Sequence, residues 1–158
     1  MSLNPINIFL RFHWLMFTGK IRFPGFNQLK PLFPGSKNTS DGGYVPFLAV
    51  TCSHPGAESR AGLLVTFRVT GPVWFHRYLL PYAGIPLFAG VPGFHAKVFF
   101  YRSSDTSYRG QYLWESREAV ERYINSYPGK FMRRVAVPGS LEINILEKGQ
   151  STERQEQP

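Results

Sequence analysis

The densest group of side chains able to do chemistry is Trp74, His76, Arg77 and Tyr78, all within one short segment. At helical spacing, positions 74, 77 and 78 share a face while 76 points elsewhere. Trp74 and Tyr78 would then stack on a flat substrate, and Arg77 would stabilise a phenolate or a developing oxyanion. His76, or His95 further on, could take a proton, because an unperturbed imidazole titrates at about 6.5. Tyr101, Tyr112 and Trp114 lie on β-rich segments and are candidate pocket walls. Each of these residues also has an ordinary reading, since an aromatic helix face is usually core and a surface Arg or His is usually solvated.

Other chemistries lack their residue patterns. The single Cys52 excludes an intramolecular disulfide framework and a multi-cysteine zinc site. Cys52 and His54 fall in a turn-rich stretch with no activating signature. Four histidines without His-Glu-x-x-His or a facial carboxylate spacing argue against a metal site, and none is expected. No Gly-x-Ser-x-Gly elbow, P-loop or dinucleotide glycine motif occurs, which argues against a hydrolase or a nucleotide enzyme.

The elements that must position these residues are marked by turns. Pro-Gly pairs at 24–25, 34–35, 55–56, 92–93, 128–129 and 138–139 cut the chain into short pieces. Residues 18–60 read as a wrapped arm with only Tyr44 to Cys52 extended. Gly62 to Val69 reads as a strand that leads, through Thr70, Gly71 and Pro72, into a helix from Val73 to Leu80 cut by Pro81. The passage to Gly93 should be irregular. Phe94–Arg102 and Tyr108–Trp114 read as two strands joined by the polar loop Ser103–Ser107, an antiparallel pair. Ser116 caps a helix with Ala119, Val120, Tyr123, Ile124 and Tyr127 on one face, ended by Pro128-Gly129, and Lys130 to Val137 reads as a further turn of helix. Ser140 to Leu146 alternates as a last strand, with Glu142 and Asn144 on its polar side.

The order β-α-β-β-α-β predicts an α+β, ferredoxin-like subunit whose helices cover one face of a four-stranded antiparallel sheet. Leu63, Val65, Phe67 and Val69 alternate with Leu64, Thr66 and Arg68, so both faces want cover. A homodimer packing sheet on sheet would supply it, with the amino-terminal arm as a competing cover. The expected division is a basic aromatic extension over 1–60, the domain over 61–148 and a disordered tail over 149–158.

The 158 residues include 14 Phe, 8 Tyr and 3 Trp, which rules out wholesale disorder. Net charge is +8, and residues 1–40 carry Arg11, Lys20, Arg22, Lys30 and Lys37 with no acid. Positive charge favours anionic partners without choosing among them. Ile6 to Phe17 is apolar nearly all round, lacks the layout of a secretory signal and is shorter than the roughly 18 residues of a spanning helix. It reads as a segment packed on its own domain or on a second subunit, or as an interfacial helix meeting lipid phosphate through Arg11, Lys20 and Arg22. The expected location is cytoplasmic, with membrane-peripheral contact through residues 1–40 as the variant. Arg109-Gly110-Gln111-Tyr112-Leu113-Trp114 echoes part of an RNA-binding strand, but the rest of that pattern is missing, so nucleic acid is not the expected partner.

Pro92-Gly93-Phe94-His95-Ala96-Lys97-Val98-Phe99-Phe100, a hairpin, then Arg109-Gly110-Gln111-Tyr112-Leu113-Trp114 and a Glu-, Ala- and Tyr-rich helix resemble the YdhR-type monooxygenases of the dimeric α/β-barrel superfamily. The resemblance covers about residues 61–147. It implies a dimer, a pocket between sheet and helices, and oxidation of a small hydrophobic aromatic or polyketide-like molecule by oxygen without a cofactor, with haem or flavin left open. The alternative is a non-catalytic dimeric ligand-binding or membrane-peripheral module.

Overall fold

In chain order the elements are helix α1 (Pro5–Phe17), strand β1 (Ile21–Arg22), the single turn α2 (Phe26–Leu29), β2 (Val45–Cys52), β3 (Ala61–Arg68), α3 (Leu80–Ala89), β4 (Phe94–Arg102), β5 (Ser107–Trp114), α4 (Arg117–Asn125), α5 (Tyr127–Val135) and β6 (Glu142–Glu147). This computed structural model describes residues 3–29, 33, 41–52, 61–69, 71–72 and 74–147. The tail expected over 149–158, His54 and the Thr70 cap lie outside the described residues, as do the side chains of His76 and Arg77.

The strands form one sheet in the order β1-β2-β4-β5-β3-β6. Its inner part, β4-β5-β3-β6, is the antiparallel arrangement that the βαββαβ reading requires. The sheet has six strands and not four, because the arm adds to it: β2 pairs with β4 through Ala49↔Val98 and Val50↔Lys97, and β1 pairs with β2. An apolar β4 buried on both sides would otherwise present an open edge. Pro46 is tolerated in β2 because the register slips between Pro46 and Leu48, at the irregular end of the ladder.

The first crossover differs from expectation. A π-helical turn over Phe75–Leu79, with the Leu80 amide bonded to the Phe75 carbonyl, leads straight into α3. The helical path runs on through Pro81, where the sequence predicted a break, and its missing N–H falls at the junction with the wider π-helical turn. Pro86 lies inside the helix and leaves the carbonyl of Tyr82 without that donor. Helix α4 ends at Asn125, close to the expected stop, and Pro128 sits in the first turn of α5, which begins three residues before the further helical turn expected from Lys130. Ser116 caps α4 as predicted, its Oγ accepting from the Ala119 amide at 3.3 Å.

Helices α1, α3, α4 and α5 cover one face, over a core containing Ile8, Leu15, Leu63, Val65, Phe88, Trp114, Val120 and Met132. The arm therefore contributes to the main core, and Gly90 permits the close approach: a Cβ there would stand 2.1 Å from the Ile8 carbonyl oxygen. On the opposite face a second cluster, Leu29, Phe33, Tyr44, Ala49, Ala96, Val98, Phe100 and Leu113, is closed over by the continuing arm. The competing cover thus takes the β2–β4 half of that face. The β3–β6 half carries half-buried Leu64 and Thr66 beside exposed Glu142 and Asn144. No helix among the described residues is long and apolar enough to cross a membrane.

Candidate active site

A cavity of about 80 Å³, open to solvent on one side, lies between the inner face of the sheet and helices α3 and α5. Its walls are aromatic and aliphatic, with Phe67, Phe88, Phe99, Tyr112, Phe131 and Met132 prominent. One water needs roughly 10–15 Å³ of such space, so the room corresponds to about five to eight waters, the size of one or two fused rings.

The one lysine in this apolar lining is Lys97. Its presence there follows from a bulge. The β4–β5 register slips between Phe94 and Ala96, so Phe94 pairs with Trp114 while Ala96 pairs with Leu113. The extra residue, His95, lets both Phe94 and Lys97 face the helices, while Ala96, Val98 and Phe100 face the arm. Across the ladder, Phe99 pairs with Gly110 and Lys97 with Tyr112. Gly110 makes the room: a Cβ at this position would meet the Tyr112 ring at 2.9 Å and the Lys97 Cε at 3.2 Å.

Lys97 is only 7% exposed. Its Nζ lies 3.7 Å from the ring centroid of Phe99, 4.2 Å from that of Phe88 and 4.3 Å from that of Tyr112. It has no carboxylate partner among the described residues. Two effects compete. Each ring face attracts an ammonium by about 0.5–2 kcal/mol, whereas taking a lone charge out of water costs several kcal/mol even after relaxation. Desolvation wins, and burial pushes the Lys97 amine well below its ordinary value, toward the uncharged base.

The lining also holds Tyr108, Arg109, Tyr112 and Tyr123, with the Arg109 guanidinium 3.9 Å from the Tyr44 ring. The Tyr112 and Tyr123 hydroxyls approach to 3.3 Å, and both residues line the cavity. Burial raises both: Tyr112 lies well above its ordinary value and Tyr123 is pushed up to about 12. Both remain protonated through the neutral range and can donate to an anionic oxygen. Among the described residues, no His, Cys, Asp and Glu gather into a metal-holding group.

Of the residues singled out from the sequence, Tyr112 lines this cavity. Trp114 is fully buried behind it, stacked at 6.3 Å on Tyr112 and 5.0 Å from Tyr123. Tyr101 is half-buried at the far end of β4, 5.0 Å from Tyr108. Trp74 and Tyr78 are exposed on the turn before α3 and are not among the lining residues. His95 is half-buried at the bulge, two residues before Lys97. Tyr112 and Trp114 face the helices, so neither can stack on a nucleic-acid base from the open side of the sheet. Sequence reasoning passed over Lys97, although it carries the only lysine or arginine charge between Phe94 and Tyr101.

No protein-family model matches the chain, and no curated protein matches it in sequence. Solved structures similar to it include SnoaB, a cofactor-independent oxygenase from Streptomyces nogalater, at 18% identity and TM-score 0.47, covering 61% of this chain and 99% of that one. A monooxygenase from Streptomyces coelicolor, ActVA-Orf6 in complex with nanaomycin D, is similar at 21% identity and TM-score 0.45, covering 59% and 90%. An uncharacterised ferredoxin-fold protein from Listeria monocytogenes, related to antibiotic biosynthesis monooxygenases, is similar at 12% identity and TM-score 0.47, covering 83% and 93%.

Proposed function

We propose that the chain is a monooxygenase-like enzyme for a small, flat, apolar molecule bearing a weakly acidic phenol or enolisable C–H, and that Lys97 is its base. The observation that carries this is an amine without a carboxylate partner at the floor of an aromatic cavity. A free amine can take the substrate proton, and the resulting ammonium then stands against the carbanion or phenolate, held from the other side by the Tyr112 and Tyr123 hydroxyls. The deprotonated substrate reduces molecular oxygen. For an enolisable methylene the sum is CH2 plus O2 giving C=O plus H2O, with the two C–H hydrogens and one oxygen atom leaving as water. No electron donor beyond the substrate is needed. The reading agrees with the YdhR-type resemblance, whose Lys-containing strand is the one that carries Lys97. Any second copy would pack against the β3–β6 half of the open face.

Oxygen uptake with 1-naphthol, a two-ring phenol of the cavity's size, tests the proposal. Consumption of oxygen with matching ketone or quinone formation is expected in the wild type, and its loss is expected in Lys97→Met. Among the described residues, the cavity lining holds no acid and no histidine, which favours a second reading, a ligand-binding module. Saturable naphthol binding without oxygen uptake would select it.

A further inference from the structure

Helix α1 divides sharply into two faces. Ile8 and Leu15 are buried in the core, with Arg11 and Phe12 half-buried beside them. At 100° per residue, the outward arc holds Ile6, Phe9, Leu10, Trp14, Met16 and Phe17, interrupted only by His13. All six are exposed, Leu10 by 62%, Trp14 by 56% and Phe17 by 90%. This is the reverse of a surface helix, whose outward arc is polar. Phe23, just beyond the helix, is also exposed.

The charge around this arc selects its partner. Residues 1–40 contain no acid, and Lys20 and Arg22 follow the helix closely. Lys20 Nζ stands 4.7 Å from the Trp14 ring, so the cation is held at the border of the apolar face. If a second copy covered the arc through a two-fold contact, these same cations would meet each other with no carboxylate from either copy's α1 region. An anionic bilayer supplies the opposite charge together with an apolar layer of suitable depth.

We infer that α1 docks flat on an anionic lipid surface, with its outward aromatic and aliphatic side chains in the acyl boundary and Lys20 and Arg22 on lipid phosphate. This is independent of the proposed chemistry. It places an enzyme for apolar molecules where such molecules concentrate.

Flotation of the full chain tests the inference, using vesicles of phosphatidylcholine alone or with 30% phosphatidylglycerol. Binding is expected to the anionic vesicles, weakening with salt. The triple variant Leu10→Gln, Trp14→Gln, Phe17→Gln leaves Ile8 and Leu15 in place and should remain unbound. The variant Lys20→Gln, Arg22→Gln alters no core residue and should bind roughly 10- to 30-fold more weakly, at about 1 kcal/mol per cation. Light scattering should give wild type and triple variant the same mass. Failure of the wild type to float with either vesicle would overturn the inference. So would a wild-type oligomer that the triple variant dissociates, which would assign the arc to a second copy. Oxygen uptake in detergent-free buffer reports on the cavity separately.

Discussion

Lys97 and Tyr112 face each other across the β4–β5 ladder, and the amine of the first stands 4.3 Å from the ring centroid of the second. The ring occupies a place where a buried lysine would ordinarily find a carboxylate. That replacement converts a structural ion pair into a candidate base, and it does so with side chains that belong to the core.

Lys97→Met should separate stability from activity. Removing a buried amine of similar length relieves desolvation, so the variant is expected to be as stable as wild type or more stable by about 1–3 kcal/mol. Urea unfolding at neutral pH measures it. Oxygen uptake should fall at least 100-fold, the lower range of general-base contributions.

The pH dependence has a defined sign. The Lys97 amine is lowered in the folded chain and returns to about 10.4 on unfolding. Between the two values the unfolded state binds the extra proton, so stability rises with pH across that window. Tyr112 and Tyr123 act oppositely above about pH 10, because their folded values are raised and the unfolded phenols ionise first. Unfolding free energy should climb toward pH 10 and then fall, and Lys97→Met should lose the climb but keep the fall.

Gly110→Val should close the cavity. Even its Cβ would stand 2.9 Å from the Tyr112 ring, so the ring or the strand must shift at a cost of about 1–3 kcal/mol. Naphthol binding should weaken at least 10-fold by fluorescence titration, while far-UV circular dichroism stays close to wild type.

The hairpin after β4 depends on Asp105. Its carboxylate accepts two bonds from Arg102, at 2.9 and 2.6 Å, and one from the Ser107 hydroxyl at 2.6 Å. The Arg102 and Ser107 bonds hold the acid well below the usual carboxylate range. Its contribution is present above about pH 3.9 and lost as pH falls toward the folded value. Asp105→Asn should cost about 1 kcal/mol, a modest figure because the pair is partly exposed. The loss should appear in urea unfolding at pH 7 and shrink at pH 2.

Much of the domain was legible because its signals are local. The strands over 94–102 and 107–114, the Ser116 cap and the βαββαβ order follow from alternation, turns and capping. Pro81 misled, since the helical path continues through it, whereas Pro128 sits where one helix has just ended and opens the next. The fate of the arm was hidden for a different reason. Pairing of β2 with β4 joins positions about fifty residues apart, and short-range periodicity carries no record of such a partner. At the site, the cluster Trp74, His76, Arg77 and Tyr78 drew attention by chemical type, yet Trp74 and Tyr78 are solvent-facing. Lys97 was concealed because strict alternation from Phe94 sets it on the face opposite Phe94. The one-residue bulge at His95 reverses that parity.

The recruitment of β2 has a colloidal consequence. With β2 laid along β4, an aromatic-rich strand buried on both faces is shielded from lateral growth by another molecule. The termini of the ladder are then the two-residue β1 and β6, whose first residue is Glu142 and last is Glu147. A strand so short and one bracketed by acids are both poor templates for fibril extension. The arm therefore acts as a gatekeeper against polymerisation for a chain with an unusually high aromatic content.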